Sequence, residues 1–419
     1  MEKYAQDLSY AIPGFVVLII VEEMAARIMG RQVNRGMDVI ASLSSGMTNT
    51  LKSLLQLGIG IVSYRWMEER IGLFDIQSTA VLFVLAFIGH DFAGYWSHRF
   101  NHSVNLFWNR HVVHHSSEEF NLACALRQEM SAFVGIYFFL YIPTALLGVP
   151  YEVYAVVGPL HLFAQFWYHT RLIGRMGFLE KILVTPSHHR VHHAINEIYL
   201  DRNLSQVFII WDKLFGTFQE EREEEPCVYG TLAPANTWNP FIINFTHTWH
   251  LAKDAWHAGS WWDKIRIWFM PLGWRPADVI ENYPRQRPPI YGRGKYDPYA
   301  SPSLQAWVWF QFILCNALLF HLLVSFGEVG WDGVVWYSVF LFATIISYTT
   351  LMDRQWLAMP CELIRIALGY AILVQFEGWP GLNHSVPNAA EMMQAYLAVS
   401  LVMSVLFSVT EKQAVAAAQ

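Results

Sequence analysis

The sequence predicts an all-α, polytopic membrane protein, and three observations carry that prediction. The chain has 419 residues, of which 54% are hydrophobic and only 15% charged, with 18 tryptophans; a soluble domain carries more charge and fewer aromatics. Apolar runs close to the roughly 20 residues needed to cross a bilayer recur along it. Between them lie histidines at helical spacing, twelve of the 17 between positions 90 and 193. A net charge of −6 without a basic stripe speaks against nucleic acid as a partner. The four cysteines are too scattered for a CxxC site or a disulfide framework and read as reduced, buried thiols. No cleavable signal peptide is evident at the start.

Taken in order, residues 10–28 give a first span ending in Glu22 and Glu23, which must face protein or an interface, since carboxylates in hydrocarbon are costly. A second span is expected over about 47–66, with Lys52 near one end. The third, Ser78 to Tyr95, is interrupted by His90 and Asp91 and leads into His98 and His102. From Ser131 to Val149 there is no charge, Pro150 breaks the pattern, and Tyr151 to Tyr168 is apolar again apart from Glu152. These halves are expected to form a transmembrane hairpin that returns His161 and His169 to the side of the earlier histidines. Four more spans are expected at Leu304–Phe326, Val334–Met352, Met359–Phe376 and Met392–Val409, nine in all.

The chain divides into N-terminal transmembrane helices (1–77), a core with the histidine groups and the hairpin (78–218), a Trp-rich amphipathic segment and linker (219–303) and a four-helix C-terminal extension (304–419). In the third part, tryptophans interleaved with Lys253, Lys264 and Arg266 suit helices lying among lipid headgroups. Basic residues between the first two spans, in the linker Arg285 to Lys295 and at Arg354 and Arg365 place the N-terminus outside and the histidines and C-terminus in the cytoplasm.

The histidines fall into H-x3-H (His98, His102), H-x2-H-H (His111, His114, His115) and a second H-x2-H-H (His189, His192, His193). Residues three and four apart on a helix share a face, so each group aims its imidazoles at one point. A single histidine in an apolar segment is usually a hydrogen-bonded structural residue; three such groups point to metal. Imidazole ligation excludes magnesium and calcium and leaves iron, zinc, copper, cobalt or nickel. Eight histidines exceed the needs of one ion and suit two metals in one pocket.

The motifs H-D-x3-Y-x2-H-R-x2-H (His90 to His102), W-x2-H-x2-H-H-S-S (Trp108 to Ser117), P-S-H-H-R-V-H-H (Pro186 to His193) and N-x7-W-D-K-L-F-G-T-F (Asn203 to Phe218) resemble the fatty acid hydroxylase/sterol desaturase superfamily. The runs Asn121 to Gln128 and Gln165 to Thr170, with the C-terminal extension, are similar to its alkylglycerol monooxygenase branch. The resemblance implies a non-haem diiron lipid hydroxylase with O2 as co-substrate and electrons from a donor protein or a reduced pterin. It makes His98, His102, His111, His114, His115, His189, His192 and His193 metal ligands, with His169 as a further one. His161, His90 and His188 are weaker candidates. Asp91, Asp201 and Asn203 are expected as hydrogen-bond partners of ligating imidazoles, and Arg127 and Gln128 as residues that hold a lipid headgroup. An ion pair of Arg127 with Glu118 or Glu119 is the structural alternative. A desaturase would use the same metal centre. A zinc-dependent membrane hydrolase lacks its H-E-x-x-H pattern here, and a metal transporter would spread its histidines over several spans.

Overall fold

The computed structural model describes residues 1–418, with side chains for all of these except His384 and residues 412–418. The chain is mostly helical; the one sheet among the described residues pairs two-residue strands, β1 (Ile59–Gly60) and β2 (Val134–Gly135), in parallel. Among the described residues, five helices are long and apolar enough to cross a membrane.

The N-terminal part contains α1 (Glu2–Ile28), α2 (Gly36–Leu54) and α3 (Tyr64–Ile71). In α1, Glu22 is turned inward and accepts the amide of Leu122, and Glu23 pairs with Arg27 and Asn34. The second helix lies earlier than the expected span at 47–66. It buries Asp38, Ser42, Ser44, Ser45, Thr48 and Lys52 against other helices, so protein rather than lipid surrounds it. Gln56 then takes a left-handed conformation (φ 52°), and the chain turns into β1.

The histidine-bearing part runs through α4 (Thr79–Ser103), α5 (Asn105–Trp108), α6 (Val112–His115), α7 (Leu122–Ala125), α8 (Ile142–Leu146), α9 (Tyr151–Phe166), α10 (Pro186–His193) and α11 (Ile210–Phe215). The expected hairpin of two full spans does not form. Its first half is β2, a 3-10 turn over Ile136–Tyr141 and the five-residue α8. Gly135, Pro143, Gly148 and Pro150 interrupt this half, because glycine loosens a helix and proline removes a donor from it. The second half is α9, 16 residues long with Pro159 inside. Four of the nine expected spans, those of α1, α2 and the two hairpin halves, therefore fall outside the set of five. Helices α4 and α9 still pack together and place His98, His102 and His169 at or just beyond their C-terminal ends.

The Trp-rich part holds α12 (Pro240–His257), α13 (Trp261–Arg266) and α14 (Ala277–Asn282). The C-terminal part comprises α15 (Pro302–Val324), α16 (Phe326–Met352), α17 (Ala358–Gln375), α18 (Leu382–Ser385) and α19 (Ala389–Ala418). Four of these five are the expected late spans, each built on an apolar run. The bend near the start of α16 falls at Gly330, whose φ of 71° other residues rarely adopt. Inside the bundle Arg365 and Glu362 form a fully enclosed pair at 2.6 Å, supplemented by Ser347 and the Tyr396 hydroxyl. Ionised groups in a membrane bundle persist only when paired in this way.

Two acidic residues tie these parts together beside the second histidine group. Glu119, almost fully enclosed, receives Arg35 at 2.7 Å, Arg171 at 2.8 Å and Lys295 at 2.6 Å. Glu118 accepts the amide of Tyr296 and faces Arg293. The α1–α2 connection, the segment after His169 and the linker before α15 all converge on this pair.

Candidate metal centre

Each histidine group reaches the centre on a different element. The last turns of α4 carry His98 and His102, the short α6 and its preceding residue carry His111, His114 and His115, and α10 carries His189, His192 and His193. Helix α10 starts where Thr185 and His188 form a reciprocal capping box and Pro186 occupies the first turn, a position that suits its fixed φ.

The nine imidazoles separate into two sets. His98, His102, His111, His115 and His192 form one, and His114, His169, His189 and His193 the other; in each, one ring nitrogen per residue lies within 4.8 Å of all the others. All are buried except His111, which is partly so.

The hydrogen bonds of the other ring nitrogens fix the tautomers. A loop over Asp201–Leu204 serves three members of the five-histidine set. The Nδ1 of His102 lies 3.0 Å from the Asp201 carboxylate, that of His192 3.0 Å from the Arg202 carbonyl, and that of His98 2.7 Å from the Leu204 carbonyl. In the other set, His114 Nδ1 donates to the Arg127 carbonyl at 3.3 Å and His169 Nδ1 to the Gln165 carbonyl at 2.9 Å. A carbonyl oxygen can only accept, so these Nδ1 atoms carry the proton and each neutral ring presents an Nε2 lone pair inward. Burial, reinforced by neighbouring imidazoles, holds His111, His115, His189, His192 and His193 well below the usual histidine range and pushes His114 down to about 3. The neutral ring is the ligating form.

The result is an arrangement that suits a cation. The Nε2 atoms of His114 and His169 face each other at 3.2 Å although both rings have spent their protons on carbonyls. The Nε2 atoms of His102, His115 and His192 are buried without any hydrogen-bond partner. Such orphaned ring nitrogens are costly and repel where lone pairs converge. Nitrogen donors of this kind fit transition metals, so the donor sets suit two ions.

The other expected residues have different surroundings. The Nε2 of His161 meets Asp91 at 2.8 Å, and its Nδ1 meets the Gln165 amide. Asp91 also accepts the amides of Val207 and Phe208 and the Trp211 indole; it bonds to none of the nine imidazoles and instead anchors the chain after the loop. His90 stacks edge-on against His161, and His188 caps α10. Asn203 bonds the His188 carbonyl and both backbone groups of Gln219, so it shapes the loop from a left-handed position (φ 52°). Of the three expected partners, Asp201 alone touches a member of the two sets. Arg127 faces Asp38 of α2 at 3.5 Å and Ser42 at 3.2 Å rather than Glu118 or Glu119, and Gln128 turns back to the Ala125 carbonyl. Both side chains thus have partners within the protein.

Four partners were missed because they are main-chain carbonyls, of Arg127, Gln165, Arg202 and Leu204, for which no side-chain pattern exists. Asp212 is different. It accepts the amides of Leu204 and Ser205 and the Thr217 hydroxyl, which holds the loop in place, and it stands in the W-D-K motif that the sequence does display.

Comparison with known proteins agrees with this geometry. Residues 83–217 match the Fatty acid hydroxylase family, a range that includes all nine histidines. The chain is 34% identical to alkylglycerol monooxygenase of Homo sapiens over 94% of its own length and 88% of that protein, and 32% identical to that of Danio rerio over 98% and 91%. It belongs to the alkylglycerol monooxygenase family. Family membership makes the chain a lipid-hydroxylating oxidoreductase embedded in membranes. A more distant relative, the ornithine lipid hydroxylase OlsE of Rhizobium tropici, is 26% identical over 44% of this chain and 53% of its own length. No solved structure matches.

Proposed function

We propose that this chain is a non-haem diiron monooxygenase that uses O2 to hydroxylate a membrane lipid, an ether lipid of the alkylglycerol type. The observation that carries the reading is the facing pair of Nε2 lone pairs on His114 and His169, 3.2 Å apart, matched by the orphaned nitrogens of the five-histidine set. One iron is assigned to each set. When bound, iron supplies the redox chemistry by which O2 attacks an unactivated C–H bond.

The protein's own task is positioning and exclusion of water. The Asp201–Leu204 loop presets three rings and the Arg127 and Gln165 carbonyls two more, so ligand geometry is built before metal arrives. Phe120 stacks on His169 and on Tyr229, and Tyr168 stacks on His169, which walls the four-histidine set with aromatic rings. Electrons come from outside the chain, from a redox protein or a reduced pterin. The basic residues of the linker Arg285 to Lys295 before α15, and Arg354 between α16 and α17, support a cytoplasmic location for the histidines and the C-terminus.

The test is turnover of an alkylglycerol in reconstituted vesicles under 18O2 with a reductant, followed by mass spectrometry and metal analysis. Incorporation of one labelled oxygen with two irons per chain is expected. Loss of two hydrogens without oxygen gain would make the chain a desaturase; two zinc ions in a turnover-competent preparation without oxygen uptake would make it a hydrolase.

A further inference from the structure

Helix α12 turns its largest aromatic side chains outward, while Ile243 and Leu251 are buried on its other side beside several polar groups. At 100° per residue, Phe241, Phe245, Trp249 and Trp256 fall within an arc of about 80°, and this arc points outward: Trp249 is 62% and Trp256 80% exposed. The inward face carries polar groups. Asn244 accepts the amides of Met130 and Ser131, His247 donates to the Asn105 carbonyl, and Asp254 holds Arg275 and Arg285 at 2.8 and 2.7 Å. The short α13 and the turn after it continue the outward aromatic face with Trp261, Trp262 and Phe269, each more than 60% exposed. Lys253 and Lys264 extend over the rings of Trp249 and Trp261 at 5.8 and 5.6 Å.

A contiguous outward face of this many large aromatics marks a surface that meets something other than water. Tryptophan concentrates at the headgroup level of bilayers, where its ring is half in hydrocarbon and its N–H finds partners, and lysine stems lie along such surfaces with the ammonium toward phosphate. The five helices long enough to span a membrane bring a bilayer to this same molecule.

We propose that α12 and α13 form an interfacial platform seated in the headgroup layer, and that this platform sets the height of the histidine centre relative to the bilayer. The second half of the proposal rests on the inner contacts. Asn105 lies between the first and second histidine groups. Its side-chain amide donates to the carbonyls of Ile267 and Trp274, and its main-chain amide to that of Met270. Leu106 donates to the carbonyl of Trp268. The turn that follows α13, together with His247 of α12, therefore bonds directly to the link between His102 and His111. Where the centre lies relative to the bilayer is independent of which metal or lipid it uses.

Spin labels test it in the full chain reconstituted in phosphatidylcholine vesicles, with Cys227 and Cys361 changed to serine. Nitroxides at Trp256→Cys and Trp262→Cys are compared with a water reference at Glu224→Cys and a lipid reference at Val402→Cys, using relaxation by O2 and by a water-soluble nickel chelate. The expected result is an O2-to-nickel ratio at both platform positions well above the Glu224 value and at or below the Val402 value. A ratio equal to that at Glu224 overturns the proposal. Loss of both collisions, the signature of a face covered by a second copy or another protein, overturns it as well. Trp249→Cys provides an independent position should either label disturb folding.

Discussion

Asp201 reaches the Nδ1 of His102 from a left-handed backbone position (φ 56°), with 3.0 Å between carboxylate and ring. It is the one carboxylate among the described residues that touches either histidine set, and it is more than half exposed. Partners of ligating imidazoles typically govern metal affinity by about 10–100-fold. Asp201→Ala should weaken metal binding by that factor in chelator competition, with Asp201→Asn recovering part of it because its amide oxygen still accepts. Unchanged affinity in Asp201→Ala would show that the contact is incidental.

The two histidine sets predict separable losses of metal. His192→Ala removes a nitrogen from the set of five and His169→Ala one from the set of four. Both variants should insert normally into membranes and lose turnover, while metal content per chain falls from two toward one. Full turnover in either variant would remove that residue from the centre.

Asp38 and Arg127 are each 2% exposed and meet at 3.5 Å, and Ser117, two residues past the second histidine group, also donates to Asp38. Removing one partner of a buried pair costs about 3–5 kcal/mol because the other charge is stranded. Asp38→Ala should therefore lower thermal stability sharply, and Asp38→Ala/Arg127→Leu should recover most of the loss. Turnover should not return in the double variant if the main chain at Arg127, whose carbonyl sets His114, depends on this anchor. Detergent-solubilised unfolding scans and turnover assays read the two effects separately.

The Glu362–Arg365 pair lies far along the chain from the histidines. Glu362→Ala should destabilise the C-terminal bundle by a similar amount, whereas Glu362→Leu/Arg365→Met should be close to neutral and leave metal content at its original level. A fall in metal content in the double variant would tie this pair to the centre.

The C-terminal bundle and the grouping of histidines were legible because each leaves a direct mark: long charge-free runs for α15, α16 and α19, an apolar run broken by one ion pair for α17, and helical spacing for the ligands. The N-terminal half was harder. An uncharged stretch such as 131–149 reads alike whether it spans a bilayer or folds into short turns, and its interrupting residues, Gly135, Pro143 and Gly148, are individually compatible with either. Helix α2 has a serine-rich surface that becomes intelligible only when α12, α15 and α16 cover it. Asp91 looked like a partner for a ligand because it neighbours the first group, but on α4 it points at α9 and the Val207–Trp211 segment. Tautomer control by carbonyls leaves no trace in side-chain identity. Residue Asp201, by contrast, announces itself through its chemistry.

Neither histidine set belongs to any one element. The set of five draws on α4, α6 with the residue before it, and α10; the set of four draws on α6, the residues after α9, and α10. A nascent chain ending before α10 therefore has at most fragments of each. The dependence on α10 is unequal: it supplies one of the five nitrogens of the first set and two of the four of the second, so the four-histidine set is the one that α10 must complete.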